Sequence, residues 1–151
     1  MSEDMQQRGA TSEQARHALR SAGWSEREGM GFSAHVGPIW SRQEGEAWAY
    51  GLLTGPQHAN RAGLVHGGLI ATLMDQGLSA IAWEAVQRQP CVTVQLDTHY
   101  LAAARPGQFL EARGRVTRVT ASLVFVQGEI TAEGEVVSSG VAILKRVRAR
   151  G

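Results

Sequence analysis

The segment from His66 to about Val86 constrains the fold of this chain more than any other. Leu69, Ile70, Leu73, Met74, Leu78, Ile81, Ala82 and Ala85 recur at the helical period and cover a very wide arc. The remainder is a narrow stripe of Gly68, Thr72, Asp75 and Ser79, spaced i, i+4, i+7 and i+11 along one face. A solvent-facing stripe usually carries Lys, Arg and Glu, whose long side chains cover a helix well. This one carries a glycine, two hydroxyls and a carboxylate. Small residues let a ligand or a second backbone come close. The pattern therefore implies a helix enclosed on nearly all sides, with its polar groove as a candidate site.

Something must enclose that helix, and the flanking sequence supplies strands. Pro38-Ile39-Trp40-Ser41 and residues 46–53 read as two strands around a turn at Glu44-Gly45. After Gln89-Pro90 the chain turns to β. Val92, Val94, Leu96 and Tyr100 alternate with Thr93, Gln95, Asp97 and His99, as in a strand with its first set buried. Leu110, Ala112, Gly114 and Val116 form the inner set of the next strand. Residues 123–131 and 136–147 follow, joined by a hairpin turn at Glu133-Gly134. Short turns between consecutive strands imply an antiparallel meander wrapped around one helix, an α+β fold. Residues 1–10 read as a disordered tail, and residues 11–151 as one domain. Thr11-Ser12-Glu13-Gln14 can cap a helix over 11–22, with Ala15, Ala18 and Leu19 inward. The stretch up to Pro38 reads as loop or short distorted strand, and Arg148-Ala149-Arg150-Gly151 as a frayed end.

A chain of 151 residues with 43% hydrophobic content suits one globular domain. Its net charge of +1 gives no reason to expect nucleic acid. No apolar run reaches the length of a membrane span, and no secretory signal is visible at the N-terminus. With Cys91 as its one cysteine, the chain has no disulfide framework and no cysteine zinc site, which fits a cytoplasmic location. Metal is not expected: of the conceivable ligands His58, His66 and Asp75, the two histidines do not share a helix face, and no second set of supporting residues is visible. No cofactor is expected either.

The chemistry concentrates between Asn60 and Asp75. Gly67 and Gly68 leave main-chain N–H groups uncovered at the start of the helix, where its dipole favours negative charge. Such donors can stabilise an oxyanion. Asp75 lies in otherwise apolar sequence, which is costly unless it has a task. Each neighbour also has a structural reading. Asn60 can close its own loop, His66 can cap the helix, and Thr72 and Ser79 can bond back to helix carbonyls. For Thr93 a strand role and a catalytic role stand equal.

The run from Pro56 to Asp75, with Asn60, His66-Gly67-Gly68 and Asp75 at fixed intervals, resembles the signature of hot-dog-fold acyl-CoA thioesterases of the phenylacetate-pathway, PaaI-type, branch. The run from Val92 to Leu101, ending at Arg105-Pro106-Gly107, fits the strand that follows the helix there. The resemblance covers roughly residues 35–147. It implies a curved antiparallel sheet wrapped around one long central helix (66–86), and a homo-oligomer, a dimer often paired into a tetramer. It implies hydrolysis of aryl- or medium-chain acyl-CoA, with CoA as part of the substrate. In that reading Asn60 and His66 shape and polarise the site, and the Gly67 N–H faces the thioester carbonyl. Asp75 is the general base or nucleophile, and Thr93 holds the attacking water. Gly68, Thr72 and Ser79 would line the substrate. Arg113, Arg115 and Arg118 alternate along one strand and can hold the CoA phosphates or form a solvated face. Ser79, Ile81, Ala82 and Trp83 leave space for a ring or medium chain. Two alternatives use the same scaffold. A hydroxyacyl dehydratase would want a proline after its histidine, which His66 lacks. A non-catalytic acyl-CoA binder or sensor would usually carry an output module.

Overall fold

The central helix α3 (Gly67–Ala85) packs across one face of a seven-stranded sheet, the arrangement that the sequence implies. The computed structural model describes residues 3–148. Residues 1, 2 and 149–151, with most of the expected frayed end, lie outside the described residues. In chain order the elements are α1 (Glu3–Ser21), β1 (Ser25–Arg27), α2 (Phe32–Val36), β2 (Ile39–Glu44) and β3 (Ala47–Leu53). A 3-10 turn (Pro56–His58) leads into α3. Then follow β4 (Cys91–Tyr100), β5 (Phe109–Val119), β6 (Leu123–Ala132) and β7 (Glu135–Arg146).

Every strand pairing is antiparallel, in the spatial order β1-β2-β3-β5-β6-β7-β4. The meander is therefore interrupted. β4 does not pair with β5; it runs along β7 at the far edge, and β5 returns beside β3. The cause is α3, which carries the chain across the sheet before β4 begins. The helix at the N-terminus also differs from expectation: it runs unbroken from Glu3 to Ser21. Met, Gln, Arg and Ala dominate residues 5–10, and all are strong helix formers.

β4 corrects a second expectation. Its register slips between Thr93 and Gln95. Before the slip Thr93 sits opposite the fully buried Leu144 and so faces α3; after it Leu96 sits opposite the buried Ala142. Val92 and Val94 are left exposed. A bulge inserts one extra residue and reverses the alternation, which a strict period of two cannot anticipate.

The core lies between α3 and the sheet. Leu69, Ile70, Leu73, Met74, Leu78 and Ala82 meet Leu52, Leu110, Val124, Ile130 and Leu144, all buried. Gly114 and Gly128 face each other on β5 and β6, and Leu78 seats on both. A Cβ on either would come within 2.9 Å or 2.8 Å of Leu78 Cδ2, so side chains there would lift the helix off the sheet. A smaller cluster, Trp24, Trp40 and Ala49 with Leu19 and Phe109, packs α1 against the start of the sheet. Trp24 meets Phe109 edge to face at 4.9 Å.

Candidate active site

A tight loop sets the start of α3. Asn60 Oδ1 accepts from the Ala62 and Leu64 amides at 2.9 Å and 3.1 Å, and the Asn60 amide donates to Leu64 O at 2.7 Å. Asn60 thus closes its own loop, one of the two roles open to it. His58 anchors the loop from behind. It is buried, its Nδ1 accepts from the Gly55 amide and its Nε2 donates to Val36 O.

His66 caps α3. Its backbone is extended, and its Nδ1 accepts from the Gly68 amide at 2.8 Å. An amide can only donate, so the neutral ring carries its proton on Nε2. That Nε2 belongs to an exposed side chain and takes no part in the cap. The next donor along, the Gly67 N–H, has no acceptor among the described residues. It is a first-turn amide, for which the helix offers no carbonyl. The Gly67 carbonyl accepts from the Tyr100 hydroxyl at 3.0 Å. A Cβ on Gly68 would fall 3.0 Å from His66 Nδ1, so the second glycine makes room for the cap.

Two turns along α3, Asp75 is half-buried. Its Oδ1 accepts from the Thr93 hydroxyl at 2.7 Å, and the Thr93 oxygen lies 3.2 Å from Ser79 Oγ. The strand that carries Thr93 also carries Tyr100, so β4 runs along the polar stripe of α3 and touches it at both ends. Thr72 bonds back to Gly68 O at 2.8 Å, a helix-internal role. Gly67 and Asp75 of one chain lie eight residues apart, about 12 Å along the axis at 1.5 Å per residue. They cannot close on one carbonyl within a single copy.

From Asp75 a cleft of about 540 Å³ runs between α3 and the β1–β3 wing. Asp75, Gln76, Ser79 and Trp83 form one wall. Ser33, Ile39, Ser41, Trp48 and Tyr50 form the other, with Arg27 and Arg88 at the rim. Gln76 Nε2 donates to Ser33 Oγ at 2.8 Å, while its Oε1 is buried and has no donor among the described residues. Burial pushes the Tyr50 phenol up to about 12, Glu84 adds to the rise, and Arg27 and Arg88 oppose it. Of the four residues expected to leave room for an acyl group, Ser79 and Trp83 line this cleft, while Ile81 and Ala82 pack into the core; sequence reasoning missed Gln76, Tyr50 and Arg27. Nothing in their spacing marks them, because three separate elements bring them together.

The three arginines are not brought to Asp75. Arg113, Arg115 and Arg118 sit opposite Glu129, Gln127 and Phe125, on the sheet face turned away from α3. Arg113 is bound to Glu44 through two nitrogens and to Glu111 through one. Those two carboxylates raise its pKa, and Arg113 with Arg42 holds Glu44 down to about 2. Arg113 and Arg115 line a separate outer cleft of about 580 Å³ that also contains Asp97, His99 and Glu129.

Among the described residues no helix is long and apolar enough to cross a membrane, and no cluster of three His, Cys, Asp or Glu could hold a metal. Residues 62–139 match the family model of the thioesterase superfamily. The chain is 32% identical over 110 residues to a Pseudomonas aeruginosa protein provisionally named an esterase, covering 72% of this chain and 82% of that one. It is 31% identical over 87 residues to human acyl-coenzyme A thioesterase 13, covering 56% of this chain and 61% of the relative. The crystal structure of BH2602 from Bacillus halodurans with CoA superposes with a TM-score of 0.69 at 21% identity, covering 99% of this chain and 97% of that one. The family match over residues 62–139 carries the conclusion: the chain belongs to the thioesterase superfamily, has the hot-dog fold and is a thioester hydrolase.

Proposed function

We propose that the protein hydrolyses acyl-CoA thioesters to free acid and CoA, at a site shared between two copies. The acyl group is an aryl or medium-chain one, bound in the cleft beside Asp75 and Trp83. Its thioester oxygen accepts from the Gly67 N–H of a second copy, and His66 Nε2–H lies beside it as a further donor. Asp75 takes a proton from water, and the hydroxide attacks the carbonyl carbon on the side opposite the amide. The tetrahedral oxyanion rests on the helix N-terminus, then collapses and expels the CoA thiolate. Direct attack by Asp75 gives a mixed anhydride that water opens, with the same net result.

The observation that carries this reading is the Thr93–Asp75 hydrogen bond. It fixes one carboxylate oxygen and leaves the other for a water or a carbonyl carbon. The exposed edge strand β4, with Val92, Val94 and Tyr100 uncovered, supports a second copy pairing along it. A relative crystallised with CoA and another named an acyl-CoA thioesterase support the substrate class. A single free cysteine fits a reducing cytoplasm.

Thiol release from a panel of aryl- and acyl-CoA esters tests it. The native protein releases CoA from at least one ester, and Asp75→Asn slows that by roughly 10²–10⁴. Full activity in the variant refutes the reading.

A further inference from the structure

Beyond the thioester, the cleft has a distal end with its own chemistry. Trp83 and Glu84 sit about 12–14 Å along α3 from Asp75. Opposite them Ser41 and Tyr50 pair across β2 and β3, and Arg27 lies on β1 beside them. The Arg27 Nε donates to Ser41 Oγ at 3.0 Å. Ser41 is 4% exposed, so a buried hydroxyl fixes the guanidinium, while neither Nη group has a hydrogen-bond partner among the described residues. No carboxylate lies within ion-pair distance of Arg27 among the described residues, whereas Arg88 across the cleft is paired with Glu84 at 3.2 Å.

The walls of this end are aromatic. Trp48, Tyr50 and Trp83 line it, and the Arg88 guanidinium stacks 5.0 Å from the Trp83 ring centre. Arg88 is held there by unusual backbone. Gln87 and Arg88 have φ of 56° and 65°, two successive non-glycine residues in the left-handed region. Such residues cost about 1–3 kcal/mol each and persist where the surroundings require them. Here they turn the chain sharply after α3, with the Arg88 amide donating to Trp83 O at 2.8 Å.

We propose that this end binds a carboxylate borne by the acyl group, so that the preferred substrates are CoA thioesters of aromatic acids with a second carboxyl group. The inference rests on the thioesterase reading of Asp75. The aryl ring lies among Trp48, Tyr50 and Trp83, the aromatic lining of this end. A second carboxylate then meets the two Nη groups of Arg27, the fork geometry that guanidinium offers to carboxylates. The Tyr50 hydroxyl keeps its proton and serves as a further donor.

The experiment compares benzoyl-CoA with 4-carboxybenzoyl-CoA. Native protein has a kcat/KM about tenfold or more higher for the carboxylated ester, the size expected of a charge-assisted pair. Arg27→Gln lowers the ratio of the two constants by about the same factor, and Arg27→Lys, which keeps the charge, lowers it less. A native ratio near one, or a ratio unchanged in Arg27→Gln, overturns the proposal. If neither ester is hydrolysed, thiol release from the wider ester panel tests the thioesterase reading separately. Calorimetric titration of the same two esters into native protein and Arg27→Gln then decides. Tighter binding of the carboxylated ester that is lost in the variant supports the distal site, and equal or absent binding overturns it.

Discussion

The Thr93 hydroxyl gives its one proton to Asp75 Oδ1 over 2.7 Å, and its oxygen lies 3.2 Å from Ser79 Oγ. Because that proton is spent, Ser79 must be the donor to Thr93. The order Ser79 to Thr93 to Asp75 is a relay that orients the carboxylate from a neighbouring strand. Thr93→Val keeps the shape of the side chain and removes the donor. A hydrogen bond to a charged group is worth about 1.5–3 kcal/mol, so kcat falls by roughly ten- to a hundredfold. Thr93→Ser restores most of the rate. Steady-state kinetics on one CoA ester check both, and a Thr93→Val enzyme with native kcat removes Thr93 from the machinery.

In the proposed mechanism His66 has two jobs on two nitrogens, and they separate. Nδ1 caps α3 through Gly68, while Nε2 takes no part in the cap. His66→Ala loses both, and losing a cap costs about 0.5–2 kcal/mol. Asn is among the best N-cap residues, so His66→Asn returns the stability but not the Nε2 donor. Thermal unfolding of the Asn variant stays near native, while its kcat/KM remains as low as that of the Ala variant. Recovery of activity together with stability would mean that His66 is a cap alone.

What the sequence makes legible divides along physical lines. The helix α3 and its stripe follow from a periodicity that only one fold face satisfies, and the apolar set of β5 follows from strict alternation. The His66-Gly67-Gly68 turn is legible because main-chain chemistry is local. Other features are not local. The bulge after Thr93 turns that side chain toward Asp75 and leaves Val92 and Val94 outside. It depends on pairing with β7, which lies some fifty residues further along the chain. Arg113, Arg115 and Arg118 read as a row of cations, yet the strand turns them away from α3. Glu44, on a strand that sequence alone does not place beside them, neutralises the first. The wall of Tyr50, Ser41 and Arg27 comes from three strands, and a linear pattern cannot foresee it.

Glu44 makes the outer face of the sheet sensitive to acid. Hydrogen bonds from Arg113 and then Arg42 hold its carboxyl down to about 2 from an ordinary 4.5. The folded state therefore binds the proton less readily than the unfolded chain. The stabilisation is present above about pH 4.5 and is lost as the pH falls toward 2. Both partners are partly exposed, so solvent screening reduces the contribution to about 1 kcal/mol. Glu44→Gln loses this at pH 7 and differs little from native near pH 2. Urea unfolding at the two pH values measures the difference. A gap that stays constant with pH would assign the effect to packing.

The separation of Gly67 and Asp75 along α3 makes a strong claim about assembly. With about 12 Å of helix between them, an amide and a carboxylate that act on one carbonyl must come from different copies. Asp75→Asn and Gly67→Val each damage one half of every site and are both inactive alone. In a mixed two-fold dimer, one site receives the intact Gly67 from one copy and the intact Asp75 from the other, and the second site receives both defects. Random exchange makes about half the dimers mixed, each with one working site of two, so the mixture regains about a quarter of native activity. Co-expression under two separable tags gives the mixed species directly, with about half the native rate per dimer. A mixed dimer as inactive as its parents would place each site within a single chain and would end the shared-site mechanism.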